Sequence, residues 1–406
     1  MFKVRAAPSA APAVILCFLG ALCEGFDVQA AGIAAAGVSH LFRPTPHALG
    51  LFFSASGAGL LLGAVVGGRI SDRLGRKSVL VASIAAFGLF SLLTSVAPDM
   101  ESLTAARFLT GLGLGGAMPN LIALAADSSA AKSRNASIAI AFIGMPVGAV
   151  AASLIVFFLP LEAWRVVFQV GGAAPLIVAP LMFLYLPATK SGAQRVTSAA
   201  STEVNAAREL FGEGRTFGTL LLWVSFFLIA LTLHLMLNWL PLLLIGRGLL
   251  KGQAAVAQAG FNAGGALIAV WLGILLDSRW RHIGIGASVA LLPVVLALIA
   301  VAPARPGVLL GLAALLGGAI LAGQVIAYAA AGVCYPTAMR GTGLGAAVAA
   351  GRLGSLTGPL FGASLLAAGR SPSQVLIGVL PIVVVCGICV GFLGWRELGK
   401  NVVPEG

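Results

Sequence analysis

Charged residues are scarce in this chain of 406 residues, where they make up 9% of the sequence, against about 25% in ordinary soluble domains. Hydrophobic residues account for 59%, and the mean hydropathy is +1.03. A water-soluble fold of this length has no means of burying so much apolar surface. The composition therefore excludes the soluble classes and indicates a membrane protein.

Cysteine is also rare, and every cysteine lies within or at the end of an apolar segment: Cys17, Cys23, Cys334, Cys386 and Cys389. This distribution excludes a disulfide framework. The Cys386-x-x-Cys389 spacing occurs in redox motifs, but inside an apolar segment we interpret both residues as small packing residues.

Catalytic motifs are missing as well. The sequence has no phosphate-binding loop, metalloprotease motif or nucleophile elbow, so we expect no enzyme activity, catalytic residue, cofactor or metal. Gly111, Gly113 and Gly116 match the dinucleotide pattern G-x-G-x-x-G, but no strand precedes them, and we interpret them as sites of close helix packing. The net charge of +12 is spread over short loops, which argues against a nucleic acid partner.

What the chain does have is a series of apolar runs, each close to the 20 or so residues that a helix needs to cross a bilayer. The sequence predicts twelve membrane helices, at 13–38, 48–69, 78–97, 102–126, 136–160, 165–187, 217–245, 252–276, 283–302, 307–333, 341–368 and 374–395. Basic residues concentrate on alternate loops, which places both termini in the cytoplasm. The long polar stretch follows the sixth helix and predicts two six-helix halves, 1–187 and 217–406, joined by a cytoplasmic linker at 188–216.

The two halves carry the same residues at nearly one offset. The pairs are Asp72 with Asp277, 205 residues apart, and Arg134 with Arg340 and Gly148 with Gly354, both 206 residues apart. Parallel repeats of membrane helices are typical of one class of secondary transporter. The predicted fold is therefore all-α, with two pseudo-symmetric halves and a site near the bilayer midplane.

A run rich in charged residues, Gly68 to Lys77, connects the second and third predicted helices. It contains Asp72, the first residue of one repeated pair. We expect Gly68 to admit a neighbouring helix, Gly75 to permit a tight turn, and Asp72 to bond a helix N-terminus or a basic residue. The predicted conformational latch also includes Arg73, Arg76, Asp277 and Arg340. The alternative is a basic loop that serves only to orient the chain in the membrane.

Two acids, Glu24 and Asp27, lie about halfway along the first predicted helix and three residues apart, so they share one face. Intramembrane acids are costly and normally line a functional cavity. We predict that Asp27, assisted by Glu24, carries a coupling proton, with a structural ion pair as the alternative. Arg107 lies near the start of the fourth predicted helix, ahead of the glycine run, and is interpreted either as a functional residue or as one that snorkels to the interface.

Arg352 is the counter-charge in the eleventh predicted helix. It is predicted to bind a substrate carboxylate bidentately, or else to pair permanently with Asp27 or Glu24. Polar residues at one-turn spacing are candidates for the cavity wall, with interhelical hydrogen bonds as the alternative: His234 and Asn238, Gln258 and Asn262, and Gln324 and Tyr328. Trp239 is a candidate aromatic wall.

These motifs resemble a known family. Gly-x-x-x-Asp-Arg-x-Gly-Arg-Lys at 68–77 is similar to the loop signature of the major facilitator superfamily. Asn238-Trp239-Leu240-Pro241, the acidic-Gly-x-Asp motif at 24–27 and Tyr335-Pro336-Thr337-x-x-Arg340-Gly341-Thr342-Gly343 resemble its aromatic acid:proton symporters. The resemblance implies roles for Asp27, Asp72, Arg340 and Arg352. Glu24 stands where most of that family has Asp.

The resemblance also implies a function. We expect a bacterial inner-membrane protein that imports a small aromatic carboxylate, 3-(3-hydroxyphenyl)propionate-like or benzoate-like, together with protons by alternating access. Its partners would be the acid, protons and the bilayer, and we expect a monomer, although the sequence does not determine the oligomeric state. The alternatives are a proton-driven efflux antiporter of the same fold, which the incomplete Gly144-x-Pro146-x-Gly148 motif disfavours, and a non-transporting membrane sensor.

Overall fold

A computed structural model describes residues 10–129, 134–186, 210–212, 215–336 and 339–398, and within these residues the chain is a series of long helices. The α-helices are α1 Ala10–Phe42, α2 Pro46–Leu74, α3 Arg76–Val96, α4 Met100–Leu114, α5 Ala117–Asp127, α6 Arg134–Phe158, α7 Arg165–Tyr185, α8 Thr216–Gly246, α9 Lys251–Leu276, α10 Arg281–Val301, α11 Pro306–Cys334, α12 Arg340–Ala367 and α13 Pro372–Leu398. A 3₁₀ turn, Leu161–Trp164, precedes α7.

The predicted spans agree with these helices to within five residues at each end. Eleven stretches of the described chain are long and apolar enough to cross a membrane. The remaining predicted span, the eleventh in the chain, corresponds to α12, where several glycines and Arg352 lower the apolar content. The predicted all-α membrane architecture is confirmed.

The fourth predicted span is interrupted. It forms two helices, α4 and α5, that meet at Gly115 and Gly116. A Cβ on Gly115 would lie 2.3 Å from the Ala64 backbone nitrogen, and one on Gly113 would lie 2.7 Å from the Phe87 backbone nitrogen. These glycines therefore let α4 and its junction with α5 contact α2 and α3 closely, which confirms the packing interpretation of the glycine run.

The chain packs as two compact units. Unit 1 comprises Met1–Val28, Ala58–Ala149 and Arg165–Gln194, and unit 2 comprises Gln29–Gly57, Val150–Trp164 and Arg195–Gly406. Helices α1, α2 and α6 each contribute one part to unit 1 and the other to unit 2. The two six-helix halves stay a prediction, and most of the predicted linker lies outside the described residues.

Glycines bring helices into backbone contact in unit 1. A Cβ on Gly25 of α1 would lie 2.0 Å from the Met145 carbonyl oxygen of α6, and one on Gly148 of α6 would lie 2.0 Å from the Leu22 carbonyl oxygen of α1. No larger residue fits at either position without moving a helix. Close packing through small residues substitutes for the hydrophobic effect, which does not drive helix association inside a bilayer.

Unit 2 has a similar line of close glycine contacts between α8 and α12, and we call each such line a glycine seam. A Cβ on Gly354 would lie 2.1 Å from the Phe227 carbonyl oxygen, and one on Gly358 would lie 2.3 Å from the Leu231 carbonyl oxygen. Gly148 and Gly354, which the sequence pairs at an offset of 206, thus have the same packing role in their own units.

Basic residues at helix ends satisfy backbone carbonyls of neighbouring helices. The contacts are Lys77 Nζ to Leu186 O at 2.6 Å, Arg165 Nη2 to Ala97 O at 3.2 Å, Lys251 Nζ to Leu159 O at 2.6 Å, and Arg281 Nη1 to Leu398 O at 3.1 Å. The last carbonyls of a helix have no partner within it and carry partial negative charge. These basic side chains therefore stabilise the C-terminal ends of neighbouring helices. The number of basic residues in the sequence does not indicate this role.

Candidate functional site

Unit 1 buries an ion pair between α1 and α4. Arg107 Nη1 lies 2.7 Å from Asp27 Oδ1, and the two side chains are 1% and 0% exposed. Arg107 Nη2 also donates to the Asp27 carbonyl oxygen at 3.3 Å. The Ser91 hydroxyl of α3 lies 3.5 Å from Asp27 Oδ1, and the Arg107 guanidinium lies 5.6 Å from the centroid of the Phe168 ring. The Asp27 carboxylate is thus neutralised within its own unit.

The ion pair is not fully hydrogen-bonded. Asp27 Oδ2 and Arg107 Nε are buried, and neither has a hydrogen-bond partner. Nearly all buried polar atoms in proteins are hydrogen-bonded, and exceptions often occur at functional sites. Glu24, one turn before Asp27, is also buried, at 2% exposed. Two acids and one arginine therefore share an apolar interior, where gain or loss of a single proton changes the charge balance.

Arg107 does not snorkel to the membrane interface, so that interpretation is wrong. The guanidinium turns inward because Asp27 offers it a buried carboxylate and a backbone carbonyl. Sequence reasoning did not identify Arg107 as the partner of Asp27. One feature of the sequence does favour this pair. The first six predicted helices carry few charges inside the membrane, and buried charges of opposite sign tend to pair with one another.

Unit 2 gathers another set of the predicted residues around Arg352 of α12. Arg352 is half-buried and lies within electrostatic range of His234 of α8 and Tyr328 of α11. Gln324 lies one turn before Tyr328 on the same helix. The Phe226 ring packs edge-on against Tyr328 at 5.0 Å between centroids. Arg352 forms no salt bridge with any described carboxylate, and this cluster therefore has an uncompensated cation.

Two other predicted residues are held elsewhere. Trp239 is buried, donates from Nε1 to the Pro359 carbonyl oxygen at 2.8 Å, and packs edge-on against Phe53 at 5.0 Å. Asn238 is buried and donates to the His234 carbonyl oxygen at 2.7 Å, one turn back along α8. Trp239 joins α8 to α12 in a packed interior, and a role for either residue in binding cargo stays a prediction.

The charged loop after α2 turns at Gly75, which has a φ of 86°. Residues with a Cβ rarely adopt this conformation, and the predicted need for glycine at the turn is confirmed. The prediction for Gly68 is wrong in this structure, because no atom lies within 4 Å of the position where its Cβ would be. Gly67 makes the close approach instead, at 2.8 Å from the Cα of Gly116. One residue along a helix rotates the side-chain direction by about 100°, which accounts for the difference.

The rest of the predicted latch is spread over several helix ends. Arg76 pairs with Asp127 at the end of α5, with Nη1 and Oδ2 2.6 Å apart, and Arg134 lies 3.9 Å from the same carboxylate. Sequence reasoning missed Asp127, although it directly follows a predicted span and precedes a basic loop. Arg73, Arg340 and Asp277, which directly follows α9, are exposed, and the Asp72 side chain lies outside the described residues.

Comparison with known proteins adds independent information. The family model described as Major Facilitator Superfamily matches residues 17–359. The 3-(3-hydroxy-phenyl)propionate transporter of Escherichia coli strain K12 is 40% identical over 384 residues, covering 94% of this chain and 93% of that protein. The 4-hydroxybenzoate transporter of Pseudomonas aeruginosa is 32% identical, covering 91% and 89%.

Solved structures show the same fold. A bacterial homolog to the human lysosomal transporter Spinster superposes with a TM-score of 0.80 at 16% identity, over 98% of this chain and 100% of that chain. The residues at 24–34, 119–124 and 238–244 predict a particular likeness to bacterial 3-(3-hydroxyphenyl)propionate transporters, and this resemblance is confirmed.

Proposed function

Because this chain belongs to the major facilitator superfamily, we propose that it imports a small aromatic carboxylate across the bacterial inner membrane, coupled to protons. The family makes it a multi-pass membrane transporter and not an enzyme. The relatives named above carry 3-(3-hydroxy-phenyl)propionate and 4-hydroxybenzoate. Both molecules combine an aromatic ring, a carboxylate and a ring hydroxyl, and we infer cargo of the same class for this chain.

The observation that carries the proposal is the uncompensated Arg352. A guanidinium inside a membrane protein is expensive unless an anion accompanies it. No described carboxylate pairs with Arg352 in unit 2, whereas a carboxylate cargo would supply the missing charge through two parallel hydrogen bonds. Arg352 therefore receives the cargo carboxylate.

The neighbours of Arg352 fit the remainder of such a molecule. The Phe226 and Tyr328 rings offer aromatic surface, and aromatic pairs stabilise beyond their buried area. His234, Gln324 and the Tyr328 hydroxyl supply hydrogen-bonding groups for a ring hydroxyl. Trp239 joins α8 to α12 through its bond to the Pro359 carbonyl oxygen, and Asn238 bonds the His234 carbonyl oxygen within α8.

The proton acts on the ion pair of unit 1. Protonation of Asp27 would remove the negative charge that balances Arg107 and leave a buried cation, so the protonated and deprotonated states favour different arrangements. Glu24, one turn away, would share the proton or supply the replacement charge. A group whose charge state biases two arrangements is what coupling to a proton gradient requires.

The surrounding loops fit alternating access in a protein with both termini in the cytoplasm. Gly75 and the Arg76–Asp127 pair order the loop after α2. Together with Asp72, Arg73, Asp277 and Arg340, they would stabilise the outward-open arrangement and release when the carrier turns inward. We expect a monomer to be sufficient, because each proposed role falls to residues of one chain.

Uptake into proteoliposomes tests the function. Labelled 3-(3-hydroxyphenyl)propionate is offered under an imposed inward proton gradient, with and without a protonophore, and liposomes lacking protein give the background. We expect accumulation that collapses with the protonophore. If other aromatic acids enter and this one does not, the cargo is corrected. If no aromatic acid enters under any gradient, the import proposal is wrong and an efflux antiporter becomes the better explanation.

A further inference from the structure

Unit 2 contains a cluster of three buried side-chain amides that the proposed function does not use: Gln29 of α1 and Gln258 and Asn262 of α9. We call it the amide cluster. Gln258 Nε2 and Asn262 Nδ2 both donate to Gln29 Oε1, at 3.1 and 2.9 Å. Gln29 Nε2 donates to the Leu237 carbonyl oxygen of α8 at 3.2 Å. Gln29 and Gln258 are 0% exposed and Asn262 is 8% exposed.

The hydrogen bonds fix the orientation of each amide. Only the Gln29 nitrogen can face the Leu237 carbonyl, so the Gln29 oxygen must accept from Gln258 and Asn262. Asn262 Nδ2 also donates to the Gln258 carbonyl oxygen at 3.0 Å. As a consequence, Gln258 Oε1 is buried without a hydrogen-bond donor. The network is specific but incomplete, which lowers its net contribution to stability.

The amide cluster occurs where α1 contacts α8 most closely. A Cβ on Gly32, one turn after Gln29, would lie 2.2 Å from the Leu237 carbonyl oxygen. Further along, the Ser54 hydroxyl of α2 donates to the Leu356 carbonyl oxygen of α12 at 2.9 Å. The segment Gln29–Gly57 is therefore held in unit 2 by apolar packing, which includes the contact of Phe53 with Trp239, by glycine contacts, and by neutral hydrogen bonds, three of which are made by Gln29.

We propose that the amide cluster is a latch that holds the segment Gln29–Gly57 against α8 and α9 and opens during transport. Hydrogen bonds between neutral side chains in membrane proteins are individually weak, so the cluster can open and re-form, and the unpaired Gln258 oxygen keeps its closed state from being too stable. Gln29 follows Asp27 by two residues on α1, so the ion pair of unit 1 and the latch act on one helix. This inference rests on the chain being a transporter that changes conformation, and it does not depend on the cargo.

The test measures opening directly, without cargo or a proton gradient. Ser54→Cys is introduced into a variant in which the five native cysteines are replaced by alanine. Ser54 is buried, so a water-soluble maleimide reaches the new thiol only when the segment opens. In detergent-purified protein we expect Gln29→Met, which keeps the shape and removes all three bonds of Gln29, to raise the labelling rate about tenfold. Gln258→Met removes one of these bonds and should raise the rate less.

Gln374→Met is the matched control, because Gln374 is exposed and bonds only the backbone nitrogen of Ser371 at 2.9 Å. It should leave labelling unchanged. Combining Gln29→Met with Gln258→Met should add little to Gln29→Met alone, since both disrupt one network. Equal labelling of folded Gln29→Met and the parent would overturn the proposal. If Gln29→Met does not fold, Gln258→Met and Asn262→Leu are measured in its place. An unchanged labelling rate in both of these variants would also rule out a latch. Failure of aromatic acid uptake would not affect this result.

Discussion

The buried charges of unit 1 and the cluster around Arg352 in unit 2 differ in how their charge is balanced. Asp27 and Arg107 neutralise each other at 2.7 Å in a nearly solvent-free interior. Arg352 is half-buried beside His234 and Tyr328, without a described carboxylate partner. In unit 1 the arginine has a carboxylate counter-ion from the same unit, whereas in unit 2 no described carboxylate pairs with Arg352.

Under the proposed function, this difference separates two tasks that a coupled transporter must perform. A self-compensated pair responds to a proton, because protonation of one member destroys the balance. An uncompensated cation responds to an anionic ligand, because binding creates the balance. The glycine seams do not differ in this way, since Gly148 and Gly354 make the same contact in their own units. This glycine contact occurs in both units, whereas the charge balance differs between them.

The largest effect should come from breaking the pair in unit 1. Arg107→Leu leaves the Asp27 carboxylate buried without its cation, and removal of one partner of a buried ion pair costs about 3–5 kcal/mol. The thermal stability of the purified protein in detergent should fall accordingly. Asp27→Asn combined with Arg107→Leu removes both charges and should recover part of the loss. Equal destabilisation by the single and double changes would show that the pairing is not what stabilises this region.

Removing the cation of unit 2 should weaken cargo binding and leave the fold intact. Hydrogen bonds to charged groups contribute about 1.5–3 kcal/mol, so Arg352→Gln should bind labelled 3-(3-hydroxyphenyl)propionate about 10- to 100-fold more weakly. Equilibrium dialysis of detergent-solubilised protein measures the affinity. Arg370→Gln, an exposed arginine in the loop before α13, is the control and should bind normally. Unchanged affinity in Arg352→Gln would remove the carboxylate assignment.

The two glycine seams should respond alike. Gly148→Ala and Gly354→Ala each place a methyl group within about 2 Å of a carbonyl oxygen, and overpacking of this kind costs about 1–3 kcal/mol. Gly345→Ala, also in α12, meets no atom within 4 Å and should be neutral or slightly stabilising. Melting temperatures of the three variants make the comparison. A large effect at one seam and none at the other would contradict the shared packing role of the two glycines.

Two glycines of the charged loop, Gly75 and Gly68, should differ in how much stability is lost when each is replaced by alanine. Gly75→Ala forces a Cβ into a conformation with φ 86° and ψ 150°, which is almost confined to glycine and costs about 1–3 kcal/mol, and it should lower the melting temperature. Gly68→Ala adds a methyl group where no atom lies within 4 Å and should not lower it. A greater loss of stability in Gly68→Ala would mean that the loop packs differently from the arrangement described above.

The sequence predicts the helices well because a membrane span is defined by length and apolar composition alone. Even the glycine run of α4 is correctly interpreted, since small residues at short spacing have few other uses inside a membrane. It is harder to predict which residues of a helix face a neighbouring helix. Gly67, one residue before Gly68, makes the close contact, and nothing in a Gly-Gly pair indicates which of the two faces the neighbour.

Pairing between charges is the least predictable part of the site. The sequence offered Arg352 as one possible partner of Asp27, and the interface as one possible place for Arg107, whereas the structure pairs Asp27 with Arg107. Which acid meets which base depends on how α1 and α4 approach each other in the folded unit, and residue spacing along the chain does not specify that geometry. Asp127 was missed for the same reason, because its partner Arg76 is 51 residues away.

The measurement that tests the division of tasks most directly compares two transport modes in proteoliposomes. Asp27→Asn should fail to accumulate labelled 3-(3-hydroxyphenyl)propionate against its gradient, yet still exchange it in counterflow, because the cargo cation of unit 2 is intact. Arg352→Gln should lose both accumulation and counterflow. If Asp27→Asn still accumulates cargo in response to a proton gradient, or if Arg352→Gln exchanges it at the parental rate, the assignment of proton and cargo to separate charges is wrong.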